Sequence, residues 1–495
     1  MKINIFSAVI ALLVGISAYA FSQTQSDPLG YSINTPRPIN PATNTTNPSA
    51  LATQGQNPYL GSTPSGKATD EVIGLSLRDA VDRGLRYNLG LIESNQASAE
   101  ARAQRLRALS ALLPDIGVRG EQGFENFSLR EIGIKVPPSP GFPGLPATTG
   151  DFSYQDARIT LTQSLYNSEL RNQYQAQKKA EQASALTVKD ARDVVVYAVG
   201  TAYLQVVASA ARVETAKAQL TSARELDQQT ADQLKNEVSP EIDSLRAQVQ
   251  RQTAEQRLTN AINDFEKDKL TLARITGLPI DQKFTVTDPG TYHPLAEVTE
   301  QSVITEALQS RSDLRSAEAS VHAAEYSVRA EKGQRLPSFS LVADYGGAGT
   351  NIANFNQVYT VSGRVSMPLY TGSRIRADID QAEAALARRK AEYQDLQGRI
   401  VYDIRVAWLD TQASDSSVRV AQRNQALADR SLAQSRDRYT NGVTNYLEVL
   451  QAQEAVAVAN ENYIQSLYSF NISKMALVRA MGVAERRFQD FFGGK

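Results

Sequence analysis

The 495-residue chain contains no cysteine. Disulfide frameworks, thiolate chemistry and cysteine-based metal sites are therefore excluded, as is a lipid anchor attached through an N-terminal cysteine. Histidine is almost as scarce. His293 and His322 are the only two, and neither lies in a cluster with metal-ligand spacing. Phosphate loops, dinucleotide fingerprints and GxSxG nucleophile patterns are missing, and acids and bases are scattered as on solvated helices. These absences speak against an enzyme and against a metal or organic cofactor. Charge of one sign is also lacking: 52 basic residues face 53 acidic ones, so nothing points to nucleic acid as a partner. Past the N-terminus no stretch approaches ~18 uninterrupted apolar residues, which argues against spanning helices.

The N-terminus reads as an export signal over 1–20. Met1-Lys2 is a short basic start, "IFSAVIALLVGISAYA" a short apolar run, and Ala18-Tyr19-Ala20 a small-x-small cleavage site. An uncleaved anchor helix is the alternative. Residues 21–70 are rich in Pro, Asn, Thr, Ser and Gly and read as a disordered arm, because they offer too little apolar surface to offset chain entropy.

The rest of the chain is a duplication. "RYTNGVTNYLEVLQAQ", ending at Gln453, aligns without a gap with "QLKNEVSPEIDSLRAQ", ending at Gln248. "LLPDIGVRGEQG" (112–123) parallels "RLPSFSLVADYG" (335–346), and "LTLARITG" (270–277) parallels "MALVRAMG" (475–482). The offset between copies changes once, where the first copy carries the extra loop "EIGIKVPPSPGFPGLPATTG" (131–150). Such a period is far longer than that of a solenoid. The spacing gives a first repeat over 71–277, a connector over 278–297, a second repeat over 298–482 and a tail over 483–495.

Each copy opens with a helical pattern, 75–113 or 298–336, closed by Pro114 or Pro337. Period-two stretches follow, which predict strands near 115–128, 152–166, 338–348 and 357–370. The period then changes. Ile375, Ile379, Ala382, Leu386, Tyr393, Leu396 and Ile400 step mostly by four and three, as a coiled-coil seam does, with Arg389 the break. A helix over about 373–440 follows, ended at Asn441-Gly442 and answered by a return helix over about 445–481. Long helices with Ala- and Gln-rich sides suit a hollow cylinder, with an elongated coiled coil as the alternative on periodicity alone.

The strands discriminate. They are long enough for tilted barrel strands, and aromatic residues crowd them. Aromatics also favour strands generally. Four strands cannot close a membrane barrel, and an open edge in lipid would leave backbone groups unpaired, so several chains must share one barrel. The rival is a periplasmic scaffolding coiled coil of the cell envelope, which osmotic shock would release and which would need no membrane strands.

On the doubled "LLPDIGV" and "RLPSFSL" junctions, on "PLYTGSRIRADIDQAEAAL" and on "RYTNGVTNYLEVLQAQ", the chain resembles the TolC-type outer-membrane efflux proteins over about 75–482. The resemblance implies an all-α fold with membrane β: a duplicated helix–strand–strand–long helix–helix repeat, forming a trimeric α-helical barrel topped by a shared 12-stranded transmembrane β-barrel. It implies a homotrimer in outer-membrane lipid that reaches into the periplasm. Its partners would be a periplasmic adaptor (membrane fusion) protein and an inner-membrane transporter, in an efflux or type I secretion system. It also implies a gate at the periplasmic helix tips. Glu448 matches a gate acid, Gln451 falls where some members have a second acid, and Asp243 matches an acid that bonds the tyrosine matched by Tyr439. Asn236, Asn441, Gly442 and Thr444 fall at the hairpin tips that would meet the adaptor. Thr444 stands where some members carry a latching arginine, leaving Arg246, Arg436 and Arg438 as substitutes. The bland alternative for Asp243 and Glu448 is favourable interaction with a helix N-terminus.

Overall fold

The computed structural model describes residues 57–492, apart from 131–132, 134–135, 139, 142, 238–239, 289, 291 and 295–298. The expected signal segment and the arm up to residue 56 lie outside the described residues. Residues 57–70, expected as part of the arm, are held in place. Asn57 caps a short 3-10 turn, Pro58–Leu60, and the segment after it is tied down by Ser65 N–H to Gly277 O (3.0 Å) and by Thr69 N–H to the Gln282 side chain (2.9 Å).

The duplication is visible element by element. The first copy contains α1 (Leu77–Tyr87), α2 (Leu89–Ser110), β2 (Asp115–Glu125), β3 (Phe152–Tyr166), α3 (Ser168–Lys235) and α4 (Glu241–Thr276). The second contains α5 (Glu300–Ser310), α6 (Ser312–Gly333), β5 (Ser338–Gly349), β6 (Asn356–Ser366), α7 (Arg374–Thr440) and α8 (Tyr446–Ala480). Corresponding helices nearly match in length: 11 and 11, 22 and 22, 68 and 67, 36 and 35 residues. Ser76 and Thr299 form equivalent capping boxes at the starts of α1 and α5.

The helical stretches expected over 75–113 and 298–336 are each broken in two. Asn88 and Arg311, at equivalent places, adopt extended backbone between paired helices. No proline marks either break. Asn88 instead caps α2 through Gly90 N–H and holds the Tyr59 carbonyl, while the Arg311 guanidinium reaches the Ala480 carbonyl.

At ~1.5 Å per residue, α3 and α7 are each ~100 Å long. Each is flanked by two shorter helices: α2 and α4 pack on α3, and α6 and α8 pack on α7. The two halves join through α3, which also packs on α6 and α8. The main core sits at mid-height, where the shorter helices end. It combines Val195, Val196, Val199 and Tyr203 of α3 with Leu272 of α4, Ile400 and Ile404 of α7, and Met475, Leu477 and Val478 of α8. A short parallel pair, β1 (Ile73–Leu75) with β4 (Phe284–Val286), crosses this level, and α9 (Ala484–Phe492) closes it through Arg192–Glu485 (2.5 Å). The tail expected over 483–495 thus supplies a helix to the core. One 18-residue window of α3 is apolar enough to cross a membrane, and half of it is buried within the chain, as a core helix requires.

Gly277 and Gly482 end the return helices with the same φ of +71°. A Cβ on Gly277 would lie 2.7 Å from the Tyr87 Cβ and 3.0 Å from the Thr63 carbonyl. Gly277→Ala therefore combines left-handed strain of ~1–2 kcal/mol with a backbone clash. It should lower the thermal midpoint of the purified protein measurably, whereas an exposed alanine substitution such as Gly398→Ala in the middle of α7 should raise it or leave it alone.

Lys474 is buried in the same core. Its Nζ donates to the His293 carbonyl (3.1 Å) and lies over the Phe470 ring, and burial pushes its pKa down to about 8. Between that value and the ordinary lysine pKa of about 10.4, the unfolded chain binds the extra proton, so stability rises with pH across this window. Lys474→Met should remove part of the gain in thermal midpoint between pH 8 and pH 10. Parallel pH profiles for the two proteins would contradict this account.

Candidate functional site

Two places concentrate function-bearing geometry: the four-stranded sheet and, a long helix away, the pair of helix tips. The sheet is antiparallel in the order β2-β3-β5-β6, so β2 and β6 are open edges. Register aligns Ile116 and Val118 of β2 with Leu161 and Ile159 of β3, then Ala343 and Tyr345 of β5, then Val361 and Tyr359 of β6. These side chains share one face, and most of them are exposed: Val118 is 83% and Tyr359 73% accessible. Leu369 and Tyr370, at the junction with α7, are also almost fully exposed. Apolar surface on this scale on a single sheet face demands another apolar phase.

The opposite face is charged. Arg119 and Arg158 stand opposite one another in β2 and β3, as do Glu121 and Asp156. Arg158 contacts both Asp156 and Asp344, each at 2.6 Å, and so links β3 to β5. Arg119 reaches Glu121 at 3.1 Å, and the Tyr154 hydroxyl donates to the same carboxylate at 2.7 Å. Asp115, Glu125 and Arg364 share this face by parity.

The tips are the α3–α4 turn and the α7–α8 turn. Asn236 and Asn441 cap α3 and α7 in equivalent positions. After them Glu237 (φ +61°) and Gly442 (φ +70°) take the same left-handed conformation, so the fold holds a turn in the first copy that its residue type does not favour. Thr444 directs its hydroxyl to Glu448. That carboxylate also meets Arg438 (3.5 Å) and Ser435 (3.4 Å), and Glu448 N–H is capped by Asn445. Glu448 is therefore folded onto its own hairpin. Asp243 pairs with Arg246 one turn along α4 (3.2 Å), and Gln451 is exposed.

Asp243 and Tyr439, matched by the resemblance to a bonded pair, each have a partner on a helix of the first copy. Tyr439 Oη donates to Gln233 Oε1 of α3 at 2.6 Å, while Asp243 is held by Arg246. Of the three arginines considered as latches, Arg436 alone crosses between the hairpins: its guanidinium reaches Ser222 of α3, and Gln453 of α8 donates to the same hydroxyl (3.1 Å). Sequence pattern gave no sign of Ser222. Beside this junction a cavity of about 480 Å³ separates the hairpins, edged by Gln219, Gln250, Arg257 and Asn460.

Tyr446 was also missed. It is fully buried with Leu226, Ala247 and Val449 in a small tip core, edge-on to Tyr439, and its hydroxyl has no hydrogen-bond partner among the described residues. Burial raises its pKa to about 12. A buried unpaired hydroxyl costs ~1–3 kcal/mol. Tyr446→Phe should therefore slow amide hydrogen exchange at the tips of α3, α7 and α8, and Arg436→Ala should accelerate it, with exchange in the sheet unchanged in both.

The family model described as "Outer membrane efflux protein" matches residues 84–278 and 303–483, one stretch in each repeat. The outer membrane efflux protein BepC of Brucella suis is 26% identical over 244 residues, 48% of this chain and 52% of that protein, so the match spans about half the length of this relative. Among solved structures, the outer membrane protein VceC of Vibrio cholerae has a TM-score of 0.70 at 18% identity, covering 82% of this chain and 96% of that one. The Campylobacter jejuni CmeC outer membrane channel has a TM-score of 0.71 at 17% identity, covering 91% and 97%. The likeness extends across both repeats, sheet and tips included, and the chain belongs to the outer membrane efflux protein family.

Proposed function

We propose that this chain is one of three subunits of an outer-membrane exit duct, which carries substrates from an inner-membrane transporter across the periplasm and the outer membrane. The observation that carries this reading is the sheet: four strands, one face apolar and exposed, the other charged, with both edges open. Three copies, each joining β6 to the β2 of the next, make a closed 12-stranded barrel with no unpaired edge in lipid. The long helices continue from the strands, and three sets of them enclose a tube below the membrane. No step of this function requires bond chemistry in the protein.

In this arrangement the tips are the periplasmic end of the duct. Glu448 from three chains forms a ring that favours cations, with Gln451 one turn further along α8 leaving it less charged than a double acidic ring. Asp243 and Tyr439 belong to the same end, tied to Arg246 and Gln233 respectively. These bonds are polar and breakable, as a gate needs. Asn236, Asn441, Gly442 and Thr444 present the turns that a periplasmic adaptor protein would grip.

Planar-bilayer recording tests the reading. Detergent-extracted protein should insert as discrete cation-preferring channels, and Glu448→Gln should lower the K⁺/Cl⁻ permeability ratio measured in 1 M salt. A chain released by osmotic shock and silent in bilayers would refute the duct. Channels whose ratio is untouched by Glu448→Gln would refute the ring.

A further inference from the structure

The strands hold eight charged residues, and alternation places all of them on one face. Five are carboxylates and three are guanidinium groups, a net of two negative charges per chain. Two of the three bases are spent locally. Arg119 is held by Glu121, and Arg158 is shared between Asp156 and Asp344. Gly346 stands opposite Arg158 across the β3–β5 ladder, so on the β5 side no side chain crowds its guanidinium as it reaches Asp344. The surplus is acidic and covalently fixed to a rigid ladder.

We propose that this charged face is a second selectivity element of the duct: a belt around the inside of the sheet that concentrates cations and disfavours anionic cargo, independently of the helix tips. The proposal rests on the shared-barrel reading above, which turns the charged face inward and brings three copies of it together.

Ionic strength separates the belt from the tips. Fixed charge acts over about one Debye length, ~30 Å at 0.01 M salt and ~3 Å at 1 M. In a wide barrel the belt's field fills the lumen only in dilute salt, whereas a narrow ring at the tips acts at either concentration. The belt therefore contributes a cation preference that grows as salt is diluted, on top of a tip contribution that persists.

The experiment uses the full chain in planar bilayers, in a Glu448→Gln background, with reversal potentials measured under KCl gradients centred near 0.01–0.05 M and near 1 M. Glu121→Gln with Glu125→Gln removes the two net negative charges while leaving the Arg158 clamp intact. It should lower the K⁺/Cl⁻ permeability ratio at least about twofold in dilute salt and leave it unchanged at 1 M. Arg158→Gln adds a net negative charge and should shift the dilute-salt ratio the opposite way. The proposal is overturned if channels of normal conductance keep the parental ratio in dilute salt with both variants, or if the shifts are equally large at 1 M. A parental protein that forms no channels at all would instead sink the barrel reading, a result distinguishable from failure of the belt.

Discussion

The controlling constraint is the open edge of an amphipathic sheet. β2 and β6 each present a row of backbone donors and acceptors with no strand partner among the described residues, on a sheet whose apolar face is exposed. In water such an edge invites pairing with another copy; in lipid it demands it. Once copies pair edge to edge, their apolar faces turn outward together and their charged faces inward. The helices that continue from the strands are then obliged to stand in a ring. The hollow tube follows from the way the sheet is closed.

Length and stiffness come from a different source. The long helices are held at mid-height by one core, to which both repeats, the β1–β4 pair and α9 contribute. Toward the tips the packing thins to small clusters such as Leu226, Ala247, Tyr446 and Val449, and polar contacts replace apolar ones. A stable waist with a loosely joined tip lets the tip rearrange without disturbing the waist or the sheet. The unpaired Tyr446 hydroxyl and the left-handed Glu237 sit in this loosely joined region, where strain lowers the free energy needed to open it.

Much of this was legible in the sequence because the duplication wrote it twice. Strand positions followed from alternation, and Phe152–Tyr166 agrees with the 152–166 expected. The tip glycine at 442 and the proline after each rising helix marked the ends of elements. What was not legible depends on tertiary contact. The breaks at Asn88 and Arg311 carry no helix-breaking residue and arise because these side chains cap and bridge to distant carbonyls. β1 and β4 are three residues each, too short for any period, and pair across more than two hundred positions. At the tips the residue types were read but their partners were not. Tyr439 finds Gln233, Glu448 finds Thr444 and Arg438, and Arg436 finds Ser222, because helix rotation about a common axis, unreadable from spacing, decides who meets whom.

The central claim is that no single chain completes the sheet. It is tested most directly by the protein mass of the detergent-extracted particle, measured by light scattering with the detergent contribution subtracted. The account predicts a particle of three chains that resists dissociation. A stable, folded particle with the mass of one chain would contradict it.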